Sequence, residues 1–253
     1  MTAVINPFDT PAGYANSNYG RWNGTQLILR DGRTPSRRTA DVHAALRAVL
    51  HDPDFPCVGA KSVVNQASYR FALHDELATT DSTAGLALDL FRFAEERQRI
   101  PGEFTSFIAS FAEPKLRTMK AFETLLWRQL GALHALDREH FAWNPAVSND
   151  PEDTSFSFSF AGGAYFVVGL SPASKRWARR FPWPTLVFND HFQFERLRAN
   201  QQFERIRDTI RERDQTLHGD VNPMMADYGN HSEARQYSGR NVGEAWKCPV
   251  HFD

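Results

Sequence analysis

Two cysteines, a histidine behind a strand and a knot of polar side chains near the C-terminus are the groups of this chain best equipped for chemistry. Cys248 stands in EAWKCPVHFD, which closes the chain. The proline after it offers no N–H to the sulfur, and its fixed φ turns the backbone away. That setting suits a thiolate presented to a haem iron, where axial cysteine raises electron density on the metal and favours O–O cleavage. A buried free thiol is the plainer reading. Cys57, in FPCVGA, has its proline on the other side and small residues after it. It can approach a cofactor face or simply pack. His191 opens the helix expected after TLVF, behind Asn189 and Asp190 as capping residues. An imidazole on so firm a support suits iron ligation or acid–base work, and a hydrogen-bonded core histidine is the alternative. Arg235, Gln236, Tyr237, Ser238 and Arg240 fall within six positions. A guanidinium among them, Arg240 or Arg235, can hold a haem propionate or an amino-acid carboxylate in bidentate fashion. A polar loop bonding its own backbone accounts for the same residues. His134, beside Leu133, reads as a core histidine.

Other chemistries lose their usual support. The chain has no GxGxxG between strand and helix, no GxxxxGK[ST], no HExxH and no GxSxG. Two cysteines are too few for a disulfide framework and lack zinc spacing, though one long-range bridge is open to them. A net charge of −1 argues against nucleic acid as partner, and the basic run SKRWARRF reads as a solvated helix face. No run approaches the roughly 20 apolar residues of a membrane span, and the N-terminus lacks the basic and apolar regions of a secretory signal. A reducing cytoplasm is the expected compartment. With 253 residues, 20 of them Phe and 6 Trp, the chain can fill a core or line a large apolar cavity.

The elements that must position these groups follow from periodicity. Residues 1–40 read as an irregular arm and 41–253 as one domain. DVHAALRAVLHD places Val42, Ala45, Leu46 and Val49 at helical intervals, with Asp41 as N-cap and a stop before Pro53. STAGLALDLFRFAEERQR and MKAFETLLWRQLGALHALD are further helices, and FTSFIASF leans towards strand. SFSFSFAGGAYFVVGL reads as a hairpin turning at Gly162-Gly163, PTLVFND as a third strand, and HFQFERLRANQQFERIRDTIRERDQ as one long charged helix. Helices around a small antiparallel sheet make a single-domain α+β fold.

Taken in order, DFPCVGAK, DPEDTSFSFSFAGGAYFVVGL, TLVFNDHFQFERLR and NPMMADYGNHSEARQYSGRNVGEAWKCPV resemble the YqcI/YcgG family over roughly residues 44–251. The resemblance implies a haem-dependent N-hydroxylase acting on the guanidine of arginine or an arginine derivative, with haem b as cofactor and O2 as co-substrate. It places the family's Pro-Cys on Cys57, its Phe-Asn-x-His on His191, its Asn-Pro on Asn222 and Pro223, its Gln-Tyr-Ser-Gly-Arg on Gln236 to Arg240, and its Trp-x-Cys-Pro on Trp246 and Cys248. Val250 departs from the expected Phe. The implied partners are a small amino-acid-like substrate and a reductase. Cys248 ranks first as axial ligand, since ligation would also anchor the tail, followed by His191 and then Cys57. Gln236, Tyr237 and Arg240 are expected at the cofactor, and Asn222, Arg235 and Glu233 at the substrate. Glu152, Asp153 and Asp227 join Glu233 as candidate partners for a guanidinium. The rival readings are a haem-binding or haem-sensing protein without turnover, and the same reaction on mononuclear non-haem iron.

Overall fold

Apolar runs in the sequence become strands, and the sheet they form divides the molecule into two faces. The computed structural model describes residues 6–220 and 231–253. In chain order the elements are α1 (Pro11–Asn16), β1 (Gly20–Trp22), β2 (Leu27–Leu29), α2 (Arg37–His51), α3 (Val58–Asn65), β3 (Tyr69–Glu76), α4 (Thr80–Glu96), β4 (Ser106–Glu113), α5 (Met119–Asp137), β5 (Phe158–Phe160), β6 (Gly163–Leu170), β7 (Thr185–Asp190), α6 (His191–Ala199), α7 (Phe203–His218) and α8 (Ala234–Tyr237). The sheet order is β2-β1-β3-β4-β7-β6-β5. β3 and β4 pair in parallel across the α4 crossover, and every other pairing is antiparallel. β4 is buried along nearly its whole length, as a central strand covered on both faces must be.

The α+β class therefore holds, but the sheet is larger than expected, with seven strands and one parallel pair. β3 escapes a reading by alternation because YRFALHDE is buried on both faces at its centre and charged at its end. The N-terminal segment is not irregular throughout. It supplies α1 and the β1–β2 hairpin, whose turn is closed by Asn23 Oδ1 accepting from the N–H groups of Thr25 and Gln26. α2 starts ahead of Asp41, because the Ser36 hydroxyl caps the Thr39 N–H at 3.1 Å. The β5–β6 turn falls one residue earlier than the diglycine suggests. Phe160 pairs with Gly163, and Ala161 and Gly162 take φ of +50° and +68°, a two-residue loop suited to strand twist. The long charged helix is broken between α6 and α7, where Gln201 adopts a φ of +56°. The break lets each half turn its own apolar residues towards the space above the sheet. SKRWARRF is not a solvated helix: it forms a 3-10 turn at Trp177–Arg179, and Arg176 turns towards Asp214 at 3.3 Å.

One face of the sheet carries α4, α5 and the C-terminal tail in a continuous aromatic core. Phe252 is 5% exposed, with its ring 5.3 Å from both Trp143 and His134 and 5.7 Å from Phe156. Val250 lies over Gly131, where even a methyl group would come within 3.2 Å of it. The smaller residue at 250 thus fits the close approach of tail and helix. The other face carries α2, α3, α6 and α7 over a second core that includes Tyr69, Phe71 and Ile108.

Candidate functional site

The second face encloses a cavity of about 330 Å³, within the range of sites that hold small molecules and cofactors. Its floor is made by alternate residues of three neighbouring strands: Ser106 and Ile108 of β4, Phe166 and Val168 of β6, and Val187 and Asn189 of β7. Period-two geometry turns these side chains to one side of the sheet. The roof is the amphipathic stripe Phe203, Ile206, Ile210 and Asp214 of α7, continued by Phe194 and Leu197 of α6. α2 and α3 form the remaining wall with Leu46, Leu50, Ala60 and Val63. Against this apolar lining stand a few polar groups, chiefly Cys57, Arg179, His191, Glu233 and Gln236.

Cys57 occupies the N-cap position of α3 after the turn that Pro53 and Pro56 impose. Burial pushes its thiol up, while the N–H of Ala60, the charge of Arg179 and the N–H of Gly59 favour the thiolate. A soft donor is thus held at a helix N-terminus and bordered by open space. His191 begins α6, with Asp190 in the cap position. Its Nδ1 is buried without a hydrogen-bond partner among the described residues and lies 3.9 Å from Glu233 Oε2, and its Nε2 lies 3.7 Å from Glu195. Burial lowers the imidazole, so the neutral ring is favoured. Glu233 is pushed up to about 8 by burial, against the stabilising bond from the Tyr237 hydroxyl at 2.6 Å. The cavity therefore places a carboxyl able to keep its proton near neutral pH beside an imidazole with an open nitrogen.

The stretch expected to act as one unit is divided between the two faces. Gln236 and Glu233 reach the cavity, but Tyr237 is buried beside β6. Its hydroxyl accepts from Phe158 N–H at 3.1 Å, lies 3.1 Å from the Tyr165 carbonyl, and its ring stacks on Trp127. Tyr237 thus supports Glu233 from behind and does not line the cavity. Arg240 forms a two-point ion pair with Glu123 of α5, both contacts at 2.8 Å, and Trp246 Nε1 donates to the same carboxylate at 3.1 Å. Arg235 donates to the Gly243 carbonyl at 2.6 Å and lies over Trp246. Both arginines fasten the tail and are not placed at the cavity. Cys248 belongs to the packed core under α5, 8% exposed, with its N–H donated to Glu152 at 3.2 Å and its thiol pushed up to about 12 by burial. Packing holds the tail, and Cys57 rather than Cys248 borders the cavity. The cysteines are both free and lie in separate cores, so the long-range bridge is not formed. His134 sits between Trp143 and Phe252 with Nε2 3.1 Å from the Asp253 carbonyl, a core histidine as expected. Asp153 closes a local turn with Ser155. Asn222, Pro223 and Asp227 lie outside the described residues.

Among the described residues, no three His, Cys, Asp or Glu side chains converge as a metal-ion site. An apolar slot with one soft donor fits a macrocycle that brings its own nitrogen ligands better than it fits a bare ion. Arg179 was missed by sequence reasoning, since nothing in SKRWARRF separates an inward arginine from its exposed neighbours. No helix among the described residues is long and apolar enough to cross a membrane.

The YqcI/YcgG family model matches residues 46–251. Two proteins of Bacillus subtilis (strain 168) are similar to the chain. Uncharacterized protein YcgG is 26% identical over 211 residues, covering 78% of this chain and 81% of its own length. Uncharacterized protein YqcI is 27% identical over 208 residues, covering 77% and 80%. No solved structure matches.

Proposed function

The chain belongs to the YqcI/YcgG family, and from that premise we propose that it is a haem-dependent monooxygenase that N-hydroxylates a guanidino or amino group of a small amino-acid-like substrate, arginine or a derivative, in which Cys57 would hold the haem iron. The observation that carries this reading is the position of Cys57, on the wall of the apolar cavity at the N-terminus of α3. Haem, when bound, supplies the activation of O2 that no side chain can perform. The protein's own tasks are to ligate, to exclude water and to hold polar groups. Cys57 provides the sulfur donor, and the Ala60 and Gly59 N–H groups offset its charge. The β-strand floor and the α6–α7 roof keep water out. Glu233 keeps a proton or accepts an N–H at its Oε2, next to the open Nδ1 of His191. Electrons come from a partner reductase, and a reducing cytoplasm suits the two free thiols.

An absorption spectrum of the protein expressed with haem precursor tests the reading, before and after addition of arginine. A Soret band, a thiolate-type Fe(II)–CO band and arginine-dependent O2 consumption are expected. A folded, colourless protein that takes up no haem would defeat it. A Soret band without O2 consumption on any guanidino compound would reduce it to haem binding.

A further inference from the structure

We infer that Arg179 is the carboxylate anchor of the cavity, its guanidinium placed to take one carboxylate of the bound molecule, a haem propionate or the α-carboxylate of the substrate. The inference rests on the proposed reading of the cavity as a ligand site and assigns its charge recognition. Arg179 lines the cavity together with Cys57. Its Nη1 contacts only two neutral oxygens at long range, the carbonyls of Gly169 at 3.3 Å and Tyr237 at 3.5 Å. Nε and Nη2 make no hydrogen bond among the described residues, so one edge of the planar fork is open, the edge that meets a carboxylate in bidentate fashion.

The other arginines around the cavity have their charge answered. Arg176 pairs with Asp214 at 3.3 Å and Asp220 at 2.8 Å, Arg198 with Glu195 at 2.7 Å, and Arg207 with Asp208 at 2.9 Å. Arg180 is exposed to solvent. Arg179 alone among the five has neither a carboxylate, among the described residues, nor full hydration. A partly buried guanidinium without a counter-charge is costly, and an incoming carboxylate removes that cost.

The test compares wild type with Arg179→Gln and Arg179→Lys, their folding checked by thermal melting. Ferric haem and its dimethyl ester, which lacks free propionates, are titrated into each. If a propionate is the partner, Arg179→Gln weakens haem binding by about 10- to 100-fold, the worth of a charge-assisted pair. The diester then binds all three proteins alike. If the substrate is the partner, haem binding is unchanged, and the spectral shift caused by arginine is lost in Arg179→Gln. The shift caused by agmatine, which lacks the carboxylate, is kept. A folded Arg179→Gln variant that binds haem and arginine as wild type does would overturn the inference. So would equal weakening of haem and diester, which would assign Arg179 to Cys57 instead. Decanoate against decanol, followed by calorimetry, needs no haem. Wild type that refuses haem but prefers decanoate through Arg179 would defeat the cofactor reading and keep the anchor. Indifference to both would end the two together.

Discussion

The two faces of the sheet hold one cysteine each, both next to a proline, and treat them in opposite ways. On the α5 face, Cys248 is buried in the core that also holds Trp127, Phe156 and Phe252, and the nearby carboxylate of Glu123 is saturated by Arg240 and Trp246. On the α3 face, Cys57 borders open volume, and the polar groups that share the wall, His191 Nδ1 and the outer edge of Arg179, are left without partners among the described residues. A filled core with closed hydrogen bonds is how a structure is held together. Space lined by a donor and unanswered polar groups is how a ligand is awaited. The proline beside each thiol is common to both and decides neither.

The contrast can be broken most decisively at the cysteines. Cys57→Ala should abolish the thiolate-type Fe(II)–CO band and turnover, whereas Cys248→Ala should keep both and lose only stability. The reverse pattern would return the ligand to the tail. Packing provides the next test, with the same substitution on each face. Leucine-to-alanine changes in cores cost about 2–5 kcal/mol. Leu126→Ala, in the filled core, should fall near the upper end, and Leu197→Ala, which already borders space, near the lower, as read by denaturant unfolding. Glu123→Gln should cost about 1.5–3 kcal/mol by leaving Arg240 without its counter-charge, and limited proteolysis should then cut the tail near Trp246.

A slope with pH is also expected. Burial pushes Asp137, at the end of α5, from the ordinary 3.8 up to about 7. The folded state then binds the proton more tightly than the unfolded chain, so this residue's contribution to stability falls as pH rises from about 4 to about 7. Asp137→Asn keeps an acceptor for the Ala161 N–H and should flatten that decline. Buried His74, lowered to about 4, acts in the opposite sense between about 4 and 6.5, so the difference between variant and wild-type melting curves is the quantity to read.

Much of the fold was legible because its signals are local. α5 runs from Met119 to Asp137, the stretch that reads as a helix in the sequence, and the Phe–Ser alternation with the following turn specifies the hairpin to within a residue. β3 was hidden because a strand covered on both faces has no alternation to show. The division of Gln236 and Glu233 from Tyr237 and Arg240 was hidden because α8 sits beside β6 with the two cores on either side, and neighbours in sequence then serve different cores.

By itself the sequence determined the α+β class, most of the helices and several of the groups able to bind iron or a carboxylate, since residue type and short-range spacing are written along the chain. Only the tertiary structure decided which of those groups meet. The choice between Cys57 and Cys248, and between Arg179 and Arg240, depends on which face of a seven-stranded sheet each segment covers and on where helices leave a gap. Those are long-range packing outcomes, and no local pattern encodes them.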